Sequence, residues 1–138
     1  MKLFVVGLGP GGLDQITPAA IDAIEQSDVI AGYTVYVDLI RQRFADKTFL
    51  TTPMKQEVDR CRMAIEETVK GKNVSMVCSG DAGVYGMAGL LLQMGKEFTD
   101  VDIEVVPGVT AALSGAALLG APLGHDFCVI SLSDLLTP

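Results

Sequence analysis

The sequence predicts an α/β fold, a mostly parallel sheet with helices on both faces. Two observations carry that prediction. Short apolar or β-branched runs alternate with stretches of helical character from Lys2 to Leu119, the pattern of successive β-α-β units. Three of these runs end in glycine-bearing loops, Gly7–Gly12, Ser79–Gly86 and Pro107–Gly108. In open α/β sheets such loops lie beyond the carboxyl ends of strands, where ligands bind.

Each element has its own local reason. Lys2–Val6 is a β-branched run that Gly7 interrupts at once. After Gly7–Asp14, Thr17 is placed to cap a helix with Pro18 at its first position, giving a helix over Pro18–Gln26. Val29–Ala31 reads as a second strand ending at Gly32, Thr34–Arg43 as a helix, and Thr48–Leu50 as a short strand. Met54–Lys70 carries Val58, Cys61, Ile65 and Val69 at three- and four-residue spacing and stops at Gly71, as an amphipathic helix covering a sheet should. Val74–Cys78 is the apolar run of a buried strand, followed by a helix over Val84–Gly95. Ile103–Val106 is a further strand, and Pro107-Gly108 turns the chain into an Ala-rich helix over Val109–Leu119.

Gly120-Ala121-Pro122-Leu123-Gly124 has linker composition, and Phe127–Leu132 then reads as a fresh strand. One strand beyond a linker has little to pack against. The expected organisation is therefore an N-terminal domain over residues 1–119, an interdomain linker over 120–126, and the start of a truncated second domain over 127–138.

Bulk properties narrow the function. A length of 138 residues suits one domain, since domains commonly run to about 100–150 residues. With 49% hydrophobic residues and a mean hydropathy of +0.41, some apolar surface is expected at an interface with a partner or second domain. A net charge of −7 opposes nonspecific nucleic-acid binding, which needs clustered Lys and Arg. No apolar run approaches the roughly 20 residues that span a bilayer, so no membrane partner is expected. Cys61, Cys78 and Cys128 are widely separated and form no Cys-x-x-Cys pair. Cys78 and Cys128 sit in apolar runs, where core packing is the expected role, and the pattern suits a reducing cytoplasm.

The loops carry the chemistry. Gly7-Leu8-Gly9-Pro10-Gly11-Gly12 literally matches the dinucleotide pattern G-x-G-x-x-G. That fingerprint needs a helix opening inside the glycine run and an acidic residue at the end of the second strand. Here the helix signal waits until Thr17-Pro18, and Gly32-Tyr33 occupies the acidic position. A composite, backbone-lined pocket built from all three loops accounts for more of the chain.

Gly7-Leu8-Gly9-Pro10-Gly11, then Ser79-Gly80-Asp81 with Val84, then Pro107-Gly108-Val109-Thr110-Ala111-Ala112 resemble, in order, the motifs of the tetrapyrrole methylases. These are two-domain α/β enzymes that methylate uroporphyrinogen and cobalamin precursors with S-adenosyl-L-methionine. Gly32-Tyr33 with Tyr36, Ser79–Leu90 and Gly115–Pro138, including Gly124-His125-Asp126-Phe127 and Ser131–Pro138, are similar to the branch that methylates C-17 of precorrin-3B or cobalt-factor III.

The resemblance implies that Pro10, Ser79, Gly80, Asp81, Val84, Thr110 and Ala111 line the cofactor pocket, the rest coming from a C-terminal domain. It places Gly9, Gly11 and Tyr36 on the tetrapyrrole side, and it implies a homodimer. The implied reaction is attack of a ring carbon on the sulfonium methyl, coupled in this branch to macrocycle contraction, with no metal or covalent nucleophile required. Asp81 has two readings, a hydrogen bond to the cofactor or an Asx turn within its own loop.

Catalytic side chains are less sharply marked. Uroporphyrinogen methylases carry an Asp after the second strand where this chain has Tyr33. Tyr33 or Tyr36 would then donate to or orient the macrocycle, unless both simply pack on the sheet. His125, the only histidine, is of a residue type that can serve as acid or base, but a linker position equally suits a hinge. Arg41, Arg43, Lys55 and Arg60 are either partners for substrate carboxylates or solvated helix faces. A polycarboxylate substrate needs local positive charge in a chain this acidic. Two other classes of protein remain open at this point, a dinucleotide-binding domain and a non-catalytic assembly domain.

Overall fold

A computed structural model of the chain describes residues 1–132. The Ser133–Pro138 part of the terminal motif lies outside the described residues. The fold is a five-stranded, wholly parallel sheet in the order β3-β2-β4-β1-β5, formed by β1 (Lys2–Gly7), β2 (Val29–Tyr33), β3 (Thr48–Thr52), β4 (Val74–Cys78) and β5 (Asp102–Val106). The helices are α1 (Pro18–Glu25), α2 (Thr34–Ile40), α3 (Glu57–Val69), α4 (Ala88–Gly95) and α5 (Ala111–Leu118). The α/β expectation holds. So does the Thr17 cap, whose side chain accepts from the Ala20 N–H with Pro18 opening the helix.

Successive strand residues face opposite sides of the sheet, so the core has two halves. Leu3 and Val5 of β1, Val29 and Ala31 of β2, and Val74 and Met76 of β4 pack under α3 and α4 with Cys61, Ile65 and Leu91. Phe4, Val6, Ile30 and Val77 pack under α1 and α2 with Ala20, Ile24, Val37 and Ile40. Every residue of β4 is buried, as a central strand covered on both faces requires. At the edge, β5 is largely exposed, and α5 buries none of its residues.

Several boundaries differ from expectation, each for a local reason. The third helix starts at Glu57 rather than Met54, because Lys55 adopts a left-handed backbone (φ +65°) incompatible with a helix. The fourth starts at Ala88 rather than Val84, because Tyr85 is also left-handed (φ +52°) and the chain is turning there. The second and third strands each run two residues further than expected, to Tyr33 and Thr52.

Phe127–Leu132 is the clearest correction. It forms no strand, because its alternating apolar residues find no neighbouring strand with which to share a ladder. Phe127, Val129, Ile130 and Leu132 are all exposed, and Cys128 is exposed with them rather than packed in a core. The Tyr85 hydroxyl, donating to the Val129 carbonyl at 2.9 Å, ties the segment to the domain.

Candidate active site at the carboxyl edge of the sheet

Topology places the site. From β1 the chain crosses to β2 on one side of the sheet, and from β4 it crosses past β1 to β5 on the other. The connections after the adjacent strands β1 and β4 therefore leave in opposite directions, each passing over the other strand, with α1 on one face and α4 on the other, a reversal of the kind at which open α/β sheets bind ligands. Both loops are stitched together there. Leu8 N–H donates to the Cys78 carbonyl at 2.8 Å, and Gly9 and Gly80 exchange two backbone bonds of 3.0 and 2.8 Å.

The third loop is locked to the second through one side chain. Asp81 Oδ1 accepts from the Gly108 N–H and Oδ2 from the Gly83 N–H, both at 2.9 Å. The Asx-turn reading of Asp81 is thus what the structure shows, extended by a cross-link to the next loop. Glycine is required at this junction because backbones meet directly. A Cβ at Gly7 would lie 2.6 Å from the Gly80 oxygen and 2.7 Å from the Gly108 nitrogen. One at Gly108 would lie 2.3 Å from the same Gly80 oxygen.

Around that junction the structure gathers the predicted cofactor residues. The Cα hydrogen side of Gly80 faces the third loop, with Ala111 N and Thr110 Cα each 3.7 Å from a Cβ built there. Thr110 caps α5 by accepting from Ala112 N–H at 3.4 Å. Val84 N–H closes the second loop on the Asp81 carbonyl at 3.3 Å. Pro10 directly follows the bridged Gly9, and Gly11 next to it is open, with nothing within 4 Å of a built Cβ. The dinucleotide reading fails on its own criterion, since a single 3-10 turn, Leu13–Gln15, follows the glycine run and α1 opens only at Pro18.

A cleft of about 180 Å³ adjoins these loops over the ends of β2 and β4. Tyr33, Tyr36 and Ser79 line it, so three predicted site residues meet there; Pro10, Gly80, Asp81, Val84, Thr110 and Ala111 do not line it. The Tyr33 and Tyr36 rings pack edge to face, 5.1 Å apart at 88°. Tyr85, Gly86 and Met87 of the β4–α4 loop also line the cleft. The same loop therefore borders the glycine junction with its first residues and the cleft with its last. His125 does not line the cleft; it lies on the exposed segment, without a hydrogen-bond or ion-pair partner among the described residues.

The residue that sequence reasoning undervalued is Arg60. It is buried beneath the cleft, with Nε donating to Thr52 Oγ1 at 2.8 Å and Nη2 to the Pro53 carbonyl at 3.0 Å. Its guanidinium carbon lies 5.9 Å from the Tyr33 ring centroid. The other candidate cations stand elsewhere. Arg41 pairs with Asp38 and covers Phe49, Arg43 covers Phe44, and Lys55 is exposed. The buried stripe of α3 is Arg60, Cys61, Ala64, Ile65 and Thr68, whereas the expected Val58 and Val69 are exposed. Reading the small residues Ala64 and Thr68 as the inward row would have turned Arg60 inward too.

Two thiols complete the surroundings. Burial pushes the Cys78 thiol, on the cleft wall, up to about 11 and that of Cys61 up to about 12. Both stay protonated and un-nucleophilic at neutral pH.

The family model of the tetrapyrrole (corrin/porphyrin) methylases matches residues 2–138. The chain is 48% identical over 137 residues to the probable cobalt-factor III C(17)-methyltransferase of Salmonella typhimurium, covering 99% of this chain and 57% of that protein. It is 41% identical to the precorrin-3B C(17)-methyltransferase of Sinorhizobium sp, covering 99% and 55%. The crystal structure of the methyltransferase CobJ superposes with a TM-score of 0.90 at 41% identity, over 99% of this chain and 58% of that one. The chain thus spans just over half the length of these relatives. On the family match over nearly its whole length, the chain belongs to the tetrapyrrole methylases.

Proposed function

We propose that this chain is the N-terminal domain of an S-adenosyl-L-methionine-dependent methyltransferase of cobalamin biosynthesis. Its substrate would be precorrin-3B or cobalt-factor III, methylated at C-17 with ring contraction. The observation that carries the reading is the convergence of three glycine loops on the β1/β4 switch point, fastened by Gly9, Gly80, Asp81 and Gly108.

The residues present fit such a cofactor. The three loops offer backbone groups and the hydroxyls of Ser79 and Thr110, and their one charged side chain is the Asp81 carboxylate. An anionic group suits a cationic sulfonium, and the glycines let a compact ligand approach the backbone closely. When bound, S-adenosyl-L-methionine supplies a methyl group on an already activated sulfur.

What the chain itself provides is positioning. Rigid loops at one sheet edge hold one reactant, and the adjoining cleft presents the other from the Tyr33 and Tyr36 side. Alignment of this kind contributes about 7–11 kcal/mol to a barrier. Tyr33, at the cleft, is the better placed of the two proposed catalytic groups to hold a proton or orient the macrocycle. His125 would need further polypeptide to bring it there.

The division into a domain over 1–119, a linker over 120–126 and a second domain from 127 is part of the proposal. Its support is α5, which is apolar yet buries nothing, and the exposure of Leu118 (87%) and Leu132 (95%). Such a surface suits a second domain completing the pocket, or a second copy in a homodimer. Free cysteines suit a cytoplasmic location, and among the described residues no helix is long and apolar enough to cross a membrane.

The test is to incubate the full-length protein with S-adenosyl-L-methionine and each of the two tetrapyrroles. Addition of one methyl at C-17, seen by mass spectrometry and NMR, is the expected result. Methylation at another ring position would move the protein to a different branch of the family. No transfer to either tetrapyrrole by a folded protein that binds the cofactor would overturn the substrate assignment.

A further inference from the structure

Arg60 is 5% exposed, and its charge is uncompensated. Its partners are a threonine hydroxyl, the Pro53 carbonyl and, at 3.9 Å from Nη1, the Met87 sulfur. All are neutral, and among the described residues no carboxylate lies within ion-pair distance. Glu57 borders the same cleft one turn earlier on α3 but forms no ion pair with it. A buried cation without a counter-ion is strongly disfavoured, and a protein seldom carries one without use.

We propose that Arg60 is the anchor for a carboxylate of the substrate, seated in the cleft between Tyr33, Tyr36 and the β4–α4 loop. The inference rests on the methylase reading for the identity of that substrate.

Geometry favours the role. Thr52 and Pro53 at the end of β3 hold the guanidinium still, and Tyr33 stands beside it. A guanidinium has five N–H donors. The bonds above use one on each nitrogen, so each terminal nitrogen keeps another N–H. Two such donors match the two oxygens of a carboxylate, and a bidentate pair fixes orientation as well as affinity. The anchor also answers an electrostatic need, since a chain of net charge −7 would otherwise repel a polyanion. Arg60 acts on positioning; it is not assigned the proton transfer.

The test compares two probes in the full-length protein, a polycarboxylate porphyrin (uroporphyrin) and its neutral amide, by fluorescence quenching. Arg60→Met should weaken the acid about 10–100-fold, the loss expected for a charge-assisted pair, and leave the amide nearly unchanged. Arg60→Lys, which keeps the charge without the fork, should fall between, and it serves if Arg60→Met does not fold. S-adenosylhomocysteine affinity should be the same in all three proteins. Equal losses for acid and amide, or no loss for either, would overturn the anchor and leave Arg60 as a clamp on Thr52 and Pro53. The underlying reading fails separately. A protein that binds uroporphyrin through Arg60 but takes no S-adenosylhomocysteine would keep the anion site and lose the methyltransferase.

Discussion

Asp81 accepts the Gly108 N–H at 2.9 Å, joining the loop after β4 to the loop after β5 through a single carboxylate. Its second oxygen holds Gly83 in the same loop, so one side chain sets the shape of two walls of the proposed cofactor pocket. Asp81→Ala removes both bonds. The expected cost is on the order of 2 kcal/mol of stability, measured by urea denaturation, together with weaker S-adenosylhomocysteine binding. Unchanged stability would contradict the cross-link.

Glycines divide into those that the junction needs and those that it does not. Gly108→Ala would push a Cβ to 2.3 Å from the Gly80 carbonyl oxygen, a backbone atom that cannot move aside. A loss of more than about 3 kcal/mol, or failure to fold, is expected. Gly89→Ala on α4 meets nothing within 4 Å and should stabilise by about 0.5–1 kcal/mol through helix propensity. Similar melting temperatures for the two variants would refute the argument.

The cysteines should separate by reactivity. Cys128 is exposed, whereas Cys61 and Cys78 are buried with thiols pushed up to about 12 and about 11. Native alkylation of the 138-residue chain at pH 8, read by mass spectrometry, should modify Cys128 first. The two buried sites should react only on unfolding. Because folding favours their protonated forms, the stability they contribute is whole below about pH 9 and is lost as pH rises through 11–12.

An acid-side effect has the opposite sign. Hydrogen bonds from Lys70 and Lys72 hold the Glu67 carboxyl at about 2, below its ordinary 4.5. Its contribution is therefore present above pH 4.5 and disappears as pH falls through 2. Glu67→Gln should be less stable than the parent at pH 6, and the difference should close by pH 2. A gap that persists at pH 2 would show that the ion pairs are not its cause.

Much of the fold was legible because short Val- and Ile-rich strands, a Thr-Pro helix start and glycine loops are local signals. The three motif loops were likewise visible, and Asp81 was read as a possible loop fastener. What was hidden depends on long-range packing. The sequence leaves Arg60 open between a partner for substrate carboxylates and a solvated helix charge, and only the rotation of α3 places it under the cleft. Lys55 and Tyr85 take left-handed backbones that residues of their types seldom adopt, so two helices began later than their composition indicated. Phe127–Leu132 has the alternation of a strand, but a strand exists only with a neighbour. The cleft itself joins β2, α3 and the β4–α4 loop, segments whose separation in sequence conceals their contact.

Cofactor binding at the glycine junction decides the proposal most directly. Calorimetric titration of S-adenosylhomocysteine into the full-length protein should give saturable micromolar binding that Asp81→Ala and Gly80→Val strongly weaken. Absence of binding to a demonstrably folded protein, or binding indifferent to both substitutions, would contradict the assignment of these loops as the cofactor site.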